Sequence, residues 1–376
     1  MKIELKNTPE QVALFKAMAS KDRLKAAQAQ EMFAGLISPT IGQILNQTDT
    51  TTLFYKSFTY NEEDTPTLPV EPLLGHTENE LSVWSNSVAG GLAQNQVYAP
   101  TAEVLMTPYR LDSAISWSKK FNLKSRLDVI SMYLTRLAQV ILIKRNRNAW
   151  SVVLGALAGA SNDGIANVVR SDTAARFTLA DLNHMFTRIR RQNASWVGGT
   201  PENNVGKLTD LVMSPEIYEQ IREFAYNPVN TTAALGASAA GAGNVVALPE
   251  AERAKMFAGG TIDSLFGVRL MQMNEFGVAA PYTVLFDDLA GSTSYAKNDK
   301  SGGAVFAPTS DLVLGLDATR DFAWRAIAAD ADTGSVFSLV ADDQFLVRSE
   351  MVGFYGAESL AHMITQTRPL QAIIVT

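Results

Sequence analysis

The sequence predicts an α+β protein, on three observations. Through 125–157 apolar residues recur at spacings of three and four, the period of one very long helix. The C-terminal part alternates short β-prone runs with turns that carry Asp and Gly. Between 53 and 118 lie some sixty residues with little core-forming content, too many for an ordinary connection inside a compact domain.

Thr8-Pro9-Glu10 reads as a helix start, with a cap residue, proline at the first helical position and an acid in the first turn. The helix is expected to run to about Phe33, with Val12, Phe15, Met18 and Ala19 on one side and Lys16, Lys21, Arg23 and Lys25 on the other. LFYKSFTY (53–60) is rich in aromatic and β-forming residues. NEEDTPTLPVEPLLG follows, dense in proline and acids, then the polar SVWSNSVAGGLAQNQVYAPT, and the strand-like AISWS closes the excursion. Such a segment reads as an arm or long hairpin that leaves the body and orders against a neighbouring subunit.

In the long helix Leu127, Ile130, Leu134, Leu137, Ile141 and Leu142 form the apolar stripe, Lys144, Arg145 and Arg147 interrupt it, and Trp150, Val153 and Leu154 resume it. At about 1.5 Å per residue the helix would be roughly 50 Å long, ended by Gly155, Gly159 and the loop SNDG. A second helix is expected over 177–191, with Thr178 as cap and Asp181 in its first turn. A strand over 208–213 should feed a helix capped by Ser214-Pro215-Glu216. Residues 230–246 are low in complexity and read as a flexible surface loop. LFGVRLMQMNEFG (265–277) is a strand bounded by glycines, and TVLFDDL after it reads as another strand. DFAWRAIAA, SVFSLVA and QFLVRSEMVGF suggest an antiparallel meander, and LQAIIVT a terminal apolar strand.

A chain of 376 residues suits two domains, or one large domain with insertions. Its 47% hydrophobic and 19% charged residues are typical of a packed globular protein and argue against large-scale disorder. A net charge of −6 argues against nucleic-acid binding over the whole surface and leaves room for a local basic face. With no cysteine, disulfides, thiolate metal sites and cysteine nucleophiles are excluded. The N-terminus lacks the apolar core of a signal peptide, and no run approaches the roughly 18 apolar residues of a spanning helix, so a soluble protein without membrane contact is expected.

The search for chemistry ends without a site. His76, His184 and His362 are far apart, and none sits in a metal-ligand spacing. Gly206-Lys207 fails as a phosphate loop, because Pro201 and Leu208 stand where a glycine and a hydroxyl are needed. Asp330-Ala331-Asp332 fails as a calcium loop, with Gly334 one place early and Ala341 at the twelfth position. The acid pairs Glu62-Glu63, Asp287-Asp288 and Asp342-Asp343 fall at expected turns or strand ends, where carboxylates are solvated. Arg188, Arg190 and Arg191 suit a helix C-terminus. Lys144, Arg145 and Arg147 are mid-helix and form a candidate basic face, for acids of another subunit or for nucleic acid. No cofactor is expected, and no enzyme.

The order of elements carries more than any single motif. It runs N-terminal arm, long loop, very long helix, α/β segment, glycine-bounded strand, strand-rich section and terminal strand. With LVMSPEIYEQIREF, LFGVRLMQMNEFG and GFYGAESLAHMITQTRPLQAIIVT, this resembles the tailed-phage major capsid proteins of the HK97-like fold. The resemblance implies an N-arm and helix over 1–52, an extended E-loop over 53–118, a peripheral (P) domain with a spine helix over 119–176, an axial (A) domain over most of 177–320, and P-domain strands with the C-terminal strand over 321–376. It implies self-assembly as hexamers and pentamers into an icosahedral head around double-stranded DNA, with assembly in the host cytoplasm and portal, scaffolding and decoration proteins as further partners. Glu62, Glu63 and Asp64 are expected to pair with Lys119, Lys120, Lys124 and Arg126 near a neighbour's spine helix. The chain reaches the E-loop by Leu53, so the attached N-terminal scaffolding segment of some relatives is not expected. Lys56 lies at the base of the loop and the tip offers no lysine, so the covalent cross-link of some relatives is not expected either. The alternatives are an encapsulin-like compartment shell and an α/β enzyme.

Overall fold

The computed structural model describes residues 3, 5, 8–70, 102–124, 126–162, 164–194, 207–226, 262–297, 300–330, 335–342 and 350–376. The middle of the expected E-loop, the low-complexity stretch 230–246, His76, Gly206 and most of QFLVRSEMVGF lie outside the described residues.

The N-terminal helix is two helices, α1 (Pro9–Met18) and α2 (Arg23–Thr48). Thr8 caps α1 through a bond from the Gln11 amide (3.4 Å), as the sequence predicts. The expected run to Phe33 is broken at 19–22, where Ser20 and Asp22 take up backbone amides with their own side chains and open a new cap, Leu24 N to Asp22 Oδ1 (3.2 Å). A 3₁₀ turn (Thr50–Leu53) leads to β1 (Tyr55–Asn61), and β2 (Thr67–Val70) pairs with β3 (Ala102–Leu105). Next come β4 (Tyr109–Ser118), the short α3 (Lys119–Leu123) and the long helix α4 (Leu127–Ala158), whose 32 residues match the helical repeat seen in the sequence.

Beyond α4 lie β5 (Ser161–Asn162), β6 (Ile165–Ala166), β7 (Val168–Arg170) and α5 (Leu179–Ala194). Thr178 and Asp181 form a reciprocal cap on α5: the Thr178 amide reaches the Asp181 carboxylate (2.9 Å) and the Asp181 amide reaches Thr178 Oγ1 (3.3 Å). β8 (Asp210–Met213) feeds α6 (Pro215–Tyr226), which Ser214 caps through the Ile217 amide (3.2 Å). β9 (Ser264–Leu265) and β10 (Val268–Gln272) are joined by a turn at Phe266 and Gly267, both at positive φ.

TVLFDDL corrects the sequence reading: it lies in a helix, α7 (Pro281–Ala290), not a strand. Proline occupies its first turn, and Tyr282, Thr283, Phe286 and Ala290 are buried at helical spacing, so Asp287 and Asp288 lie on a helix rather than at a strand end. The chain continues through β11 (Ser294–Lys297), β12 (Lys300–Val305), β13 (Asp311–Leu316), β14 (Ala323–Ala329), β15 (Ser338–Asp342), β16 (Met351–Ile364) and β17 (Leu370–Val375).

These elements form two compact units. The first comprises Met1–Val70, Glu103–Trp150 and Ala323–Thr365. Its five-stranded sheet is organised around β16, which pairs antiparallel with β4, β14 and β15, while β1 adds to β14 in parallel. β14 and β15 are therefore not neighbours, as a meander would require: β16 is long enough to pair with each along a different stretch, 360–364 and 353–357. The core brings Phe15, Phe33, Ile37 and Ile41 together with Ile130, Leu134 and Ile141 of α4 and with Trp117, Phe337 and Phe354.

The second unit comprises Glu71–Ala102, Ser151–Phe322 and Gln366–Thr376. Its eight-stranded sheet has the order β12-β11-β7-β17-β13-β8-β10-β9. β13 and β17 pair antiparallel at its middle and are buried at every position, so neither alternates apolar with polar residues; each carries one buried polar residue, Asp311 and Gln371. Leu182, Met185 and Ile189 of α5 and Ile217 and Ile221 of α6 close a core with Leu211, Met213, Val313 and Ile373.

Candidate assembly surfaces

Arg145 stands on the apolar stripe of α4, four residues after Ile141 and four before Ala149, and its side chain is fully buried. It therefore does not belong to a basic face with Lys144 and Arg147, which are exposed. A buried guanidinium requires paired acceptors. Arg145 donates to two, Glu358 (Nη1, 2.8 Å) and Asn46 (Nη2, 3.0 Å), and Asp49 forms an ion pair with its Nε at 3.2 Å. Asp49 also holds Arg325 of β14 and accepts from the amide and hydroxyl of Thr51 (2.8 and 2.6 Å). Arg325 donates in turn to Ser57 of β1 (2.9 and 2.7 Å). Two arginines and two carboxylates thus fasten the end of α2, the middle of α4 and strands β1, β14 and β16 within the first unit.

The two carboxylates respond differently. Burial pushes Asp49 up, but Arg325, Arg145 and the two Thr51 bonds outweigh it and hold the group below the ordinary carboxylate range. Glu358 has the single Arg145 bond and its Oε2 has no partner, so burial prevails and raises its pKa. Nearby, His362 Nδ1 lies 2.8 Å from the Tyr109 hydroxyl. Burial, with Arg325 and Arg145 close by, lowers His362 to about 3, so the ring is neutral. Burial pushes the Tyr109 hydroxyl up to about 12. These are perturbed groups of a structural lock. Among the described residues no cluster of three or more His, Cys, Asp or Glu could hold a metal ion, and no helix is long and apolar enough to cross a membrane.

Cavities give no better lead. One, of about 110 Å³, is lined by Glu62, Arg110, Asp330 and Ser338 among others, well below the roughly 300 Å³ of a small-molecule pocket. Another, of about 530 Å³, is lined only by residues of α2 and its cap, from Asp22 to Glu31, and is the flank of one helix rather than a cleft.

The surface is more informative. Glu62, Glu63 and Asp64 form an exposed turn at the end of β1, closed by a bond from the Asp64 amide to the Asn61 carbonyl (2.9 Å). Between Lys56 and Arg110 the sequence has no lysine or arginine, while Glu71, Glu78, Glu80 and Glu103 add to those three acids. Lys120 and Lys124 are exposed in and just after α3, Arg126 is exposed immediately before α4, and Lys119 is half-buried. The expected basic set is thus contiguous at the N-terminal end of α4. Along α4 itself Met132, Arg136, Val140, Ile143, Lys144 and Arg147 are exposed on one face, with Met132 and Ile143 each 67% accessible. α2 shows a similar stripe, with Leu24, Met32 and Leu36 exposed. Neither stripe was singled out from the sequence, although the spacing of Met132, Val140 and Ile143 opposite the core stripe was a readable signal. Of the helix-terminal arginines, Arg188 is buried and donates to the Ala166 carbonyl, whereas Arg190 and Arg191 are exposed. His184 is exposed on α5.

No family model matches the sequence, and no curated protein matches it. Solved structures do. The capsid structure of cyanophage P-SCSP1u superposes with a TM-score of 0.51 at 11% identity, covering 85% of this chain and 86% of that one. A structure from Microbacterium phage Oxtober96 gives 0.48 at 12% identity over 87% and 90%, and the capsid of an empty GTA particle gives 0.47 at 13% over 85% and 88%. The likeness to the cyanophage capsid, over most of both chains, is one of fold. The chain has the α+β, HK97-like capsid fold that the order of its elements led one to expect.

Proposed function

We propose that the chain is a major capsid protein that self-assembles as hexamers and pentamers into an icosahedral phage head enclosing double-stranded DNA, without enzymatic activity of its own. The observation that supports this best is the fold shared with the cyanophage capsid over 85% of the chain. In this reading residues 53–118 are the extended loop, α4 is the spine helix, and packaged DNA is contacted without sequence preference. Portal, scaffolding and decoration proteins are its further partners, and the capsid is its place in the virion.

Within that shell the acidic turn Glu62, Glu63, Asp64 of one copy pairs with Lys119, Lys120, Lys124 and Arg126 of its neighbour. The physics favours such pairing between copies. Each exposed ion pair contributes only about 0.2–1 kcal/mol, so several must act together and must lose water at an interface to matter. A stretch of one sign from Ser57 to Tyr109 and a contiguous basic set beside α4 provide that. Lys144 and Arg147, with Arg136, remain as the basic part of a mixed apolar and basic face on α4. Sedimentation of the purified protein tests assembly: a discrete fast-sedimenting particle of several megadaltons supports the reading. Species no larger than a single hexamer under all assembly conditions contradict it.

A further inference from the structure

The solvent side of α4 is both apolar and basic. Met132, Val140 and Ile143 are exposed over about 17 Å of helix, with Arg136, Lys144 and Arg147 among them. From Val129 to Asn162 the sequence has no acid to partner those bases, and none of the three makes an ion pair among the described residues. Large apolar side chains that stand together on a helix face mark a contact surface, and the bases set the sign of what covers it. Among the described residues two other helices expose two or more large apolar side chains. α2 exposes Leu24, Met32 and Leu36, but it mixes signs, and Arg23 and Lys25 at its start would stand against the bases of α4. α7 exposes Val284 (39%) and Leu289 (42%) beside the exposed Asp288, and Glu275 and Val278 are exposed just before it. Between Arg269 and Lys297 the sequence has no lysine or arginine. The ten residues of α7 cover about 15 Å, close to the length of the α4 patch.

We propose that the apolar and basic face of α4 in one copy is covered by the apolar and acidic face of α7 in a second copy. The contact rests on the self-association of the reading above and names two surfaces that join the copies. Val284 and Asp288 are one turn apart on α7, as Val140 and Lys144 are on α4. With the helices parallel, Val284 on Val140 sets Asp288 beside Lys144; with them antiparallel, it sets Asp288 beside Arg136. Either direction joins apolar to apolar and acid to base. Such ion pairs are weak in water and stronger once apolar neighbours exclude it. The two faces differ, so the contact is heterologous: a copy that uses its α4 keeps its α7 for the next, and the contact propagates from copy to copy.

Disulfide cross-linking between copies tests this, since the chain has no cysteine of its own. Full-length chains carrying Ile143→Cys are mixed with differently tagged chains carrying Val284→Cys and oxidised under assembly conditions. The mixed dimer is expected at least tenfold above that from Ile143→Cys mixed with Thr187→Cys, an exposed position on α5. Asp288→Lys in the Val284→Cys chain should lower the yield at least fivefold, and Arg136→Glu with Lys144→Glu in the Ile143→Cys chain should restore it. A mixed dimer no more abundant than the control would overturn the proposal, whether or not the charge variants fold. So would a yield indifferent to Asp288→Lys. Particles that form without the bridge would overturn this contact and leave the shell reading standing. An abundant bridge in a chain that never exceeds small oligomers would support the contact and contradict the shell.

Discussion

Asp49 is the carboxylate at which two buried arginines meet, so its loss leaves two positive charges in the core with one carboxylate between them. Removing one partner of a buried ion pair costs about 3–5 kcal/mol, whereas the whole group contributes far less than its Coulomb attraction suggests. Asp49→Asn is therefore expected to lower the unfolding free energy by about 3–5 kcal/mol, read from denaturant midpoints. Because the Asp49 pKa is lowered in the folded chain, its contribution is present above the ordinary value of 3.8 and fades as pH falls through the lowered one. His362 acts in the same direction through a different proton. Above its ordinary value of 6.5 both states are neutral, and as pH falls towards about 3 the unfolded ring takes a proton that the folded ring refuses. Stability should fall with pH across that interval, and His362→Gln should flatten the fall. An unchanged slope in unfolding midpoints between pH 6.5 and pH 4 would refute the assignment. The sequence reading put Arg145 on a basic face, although its spacing from Leu134, Ile141 and Ala149 places it on the buried stripe. Its partners were not legible, since Asp49 and Glu358 stand far away in the chain and only the fold brings them near.

At the scale of elements, the sequence read best where one physical signal dominated. α4, the reciprocal cap of Thr178 and Asp181, and the proline-started α6 all follow from local rules that the structure obeys. It read worst where two signals competed. In PYTVLFDDLA the β-branched and aromatic residues favour a strand, but proline in the first turn and burial of Tyr282, Phe286 and Ala290 at helical spacing decide for a helix. The meander failed for a different reason: strand adjacency is set by the 14-residue length of β16, which spans the partners of three other strands. β16 also contains a point of close approach. A Cβ on Gly356 would lie 2.7 Å from Cζ of the Phe337 ring, which is fully buried. Gly356→Val should cost about 1–3 kcal/mol or more in unfolding free energy. A loss below half a kilocalorie would show that the Phe337 ring relaxes freely.

For the whole molecule, the two units account for folding, and the proposed pairing of charged surfaces between copies is tested apart from it. Charge reversal at Glu62 and Glu63 to lysine leaves the core untouched, so circular dichroism and the denaturant midpoint should stay within about 0.5 kcal/mol of the unaltered chain while assembly is lost or slowed at least tenfold. Reversing Lys120 and Lys124 to glutamate in the same chain should restore part of it. Normal assembly of the doubly reversed turn would remove these residues from the interface. The fold class was legible because the order of elements survives where no single motif is specific. The proposed assembly surfaces were legible only in part: charge runs show in a sequence, whereas exposure on α2 and α4 depends on what the body covers.

The central claim, that this fold builds a closed shell, is tested most directly by electron microscopy of the purified, concentrated protein. The account predicts hollow particles of uniform diameter built from six-fold and five-fold capsomers. Discrete small oligomers, with no curved or closed lattice under any assembly condition, would contradict it.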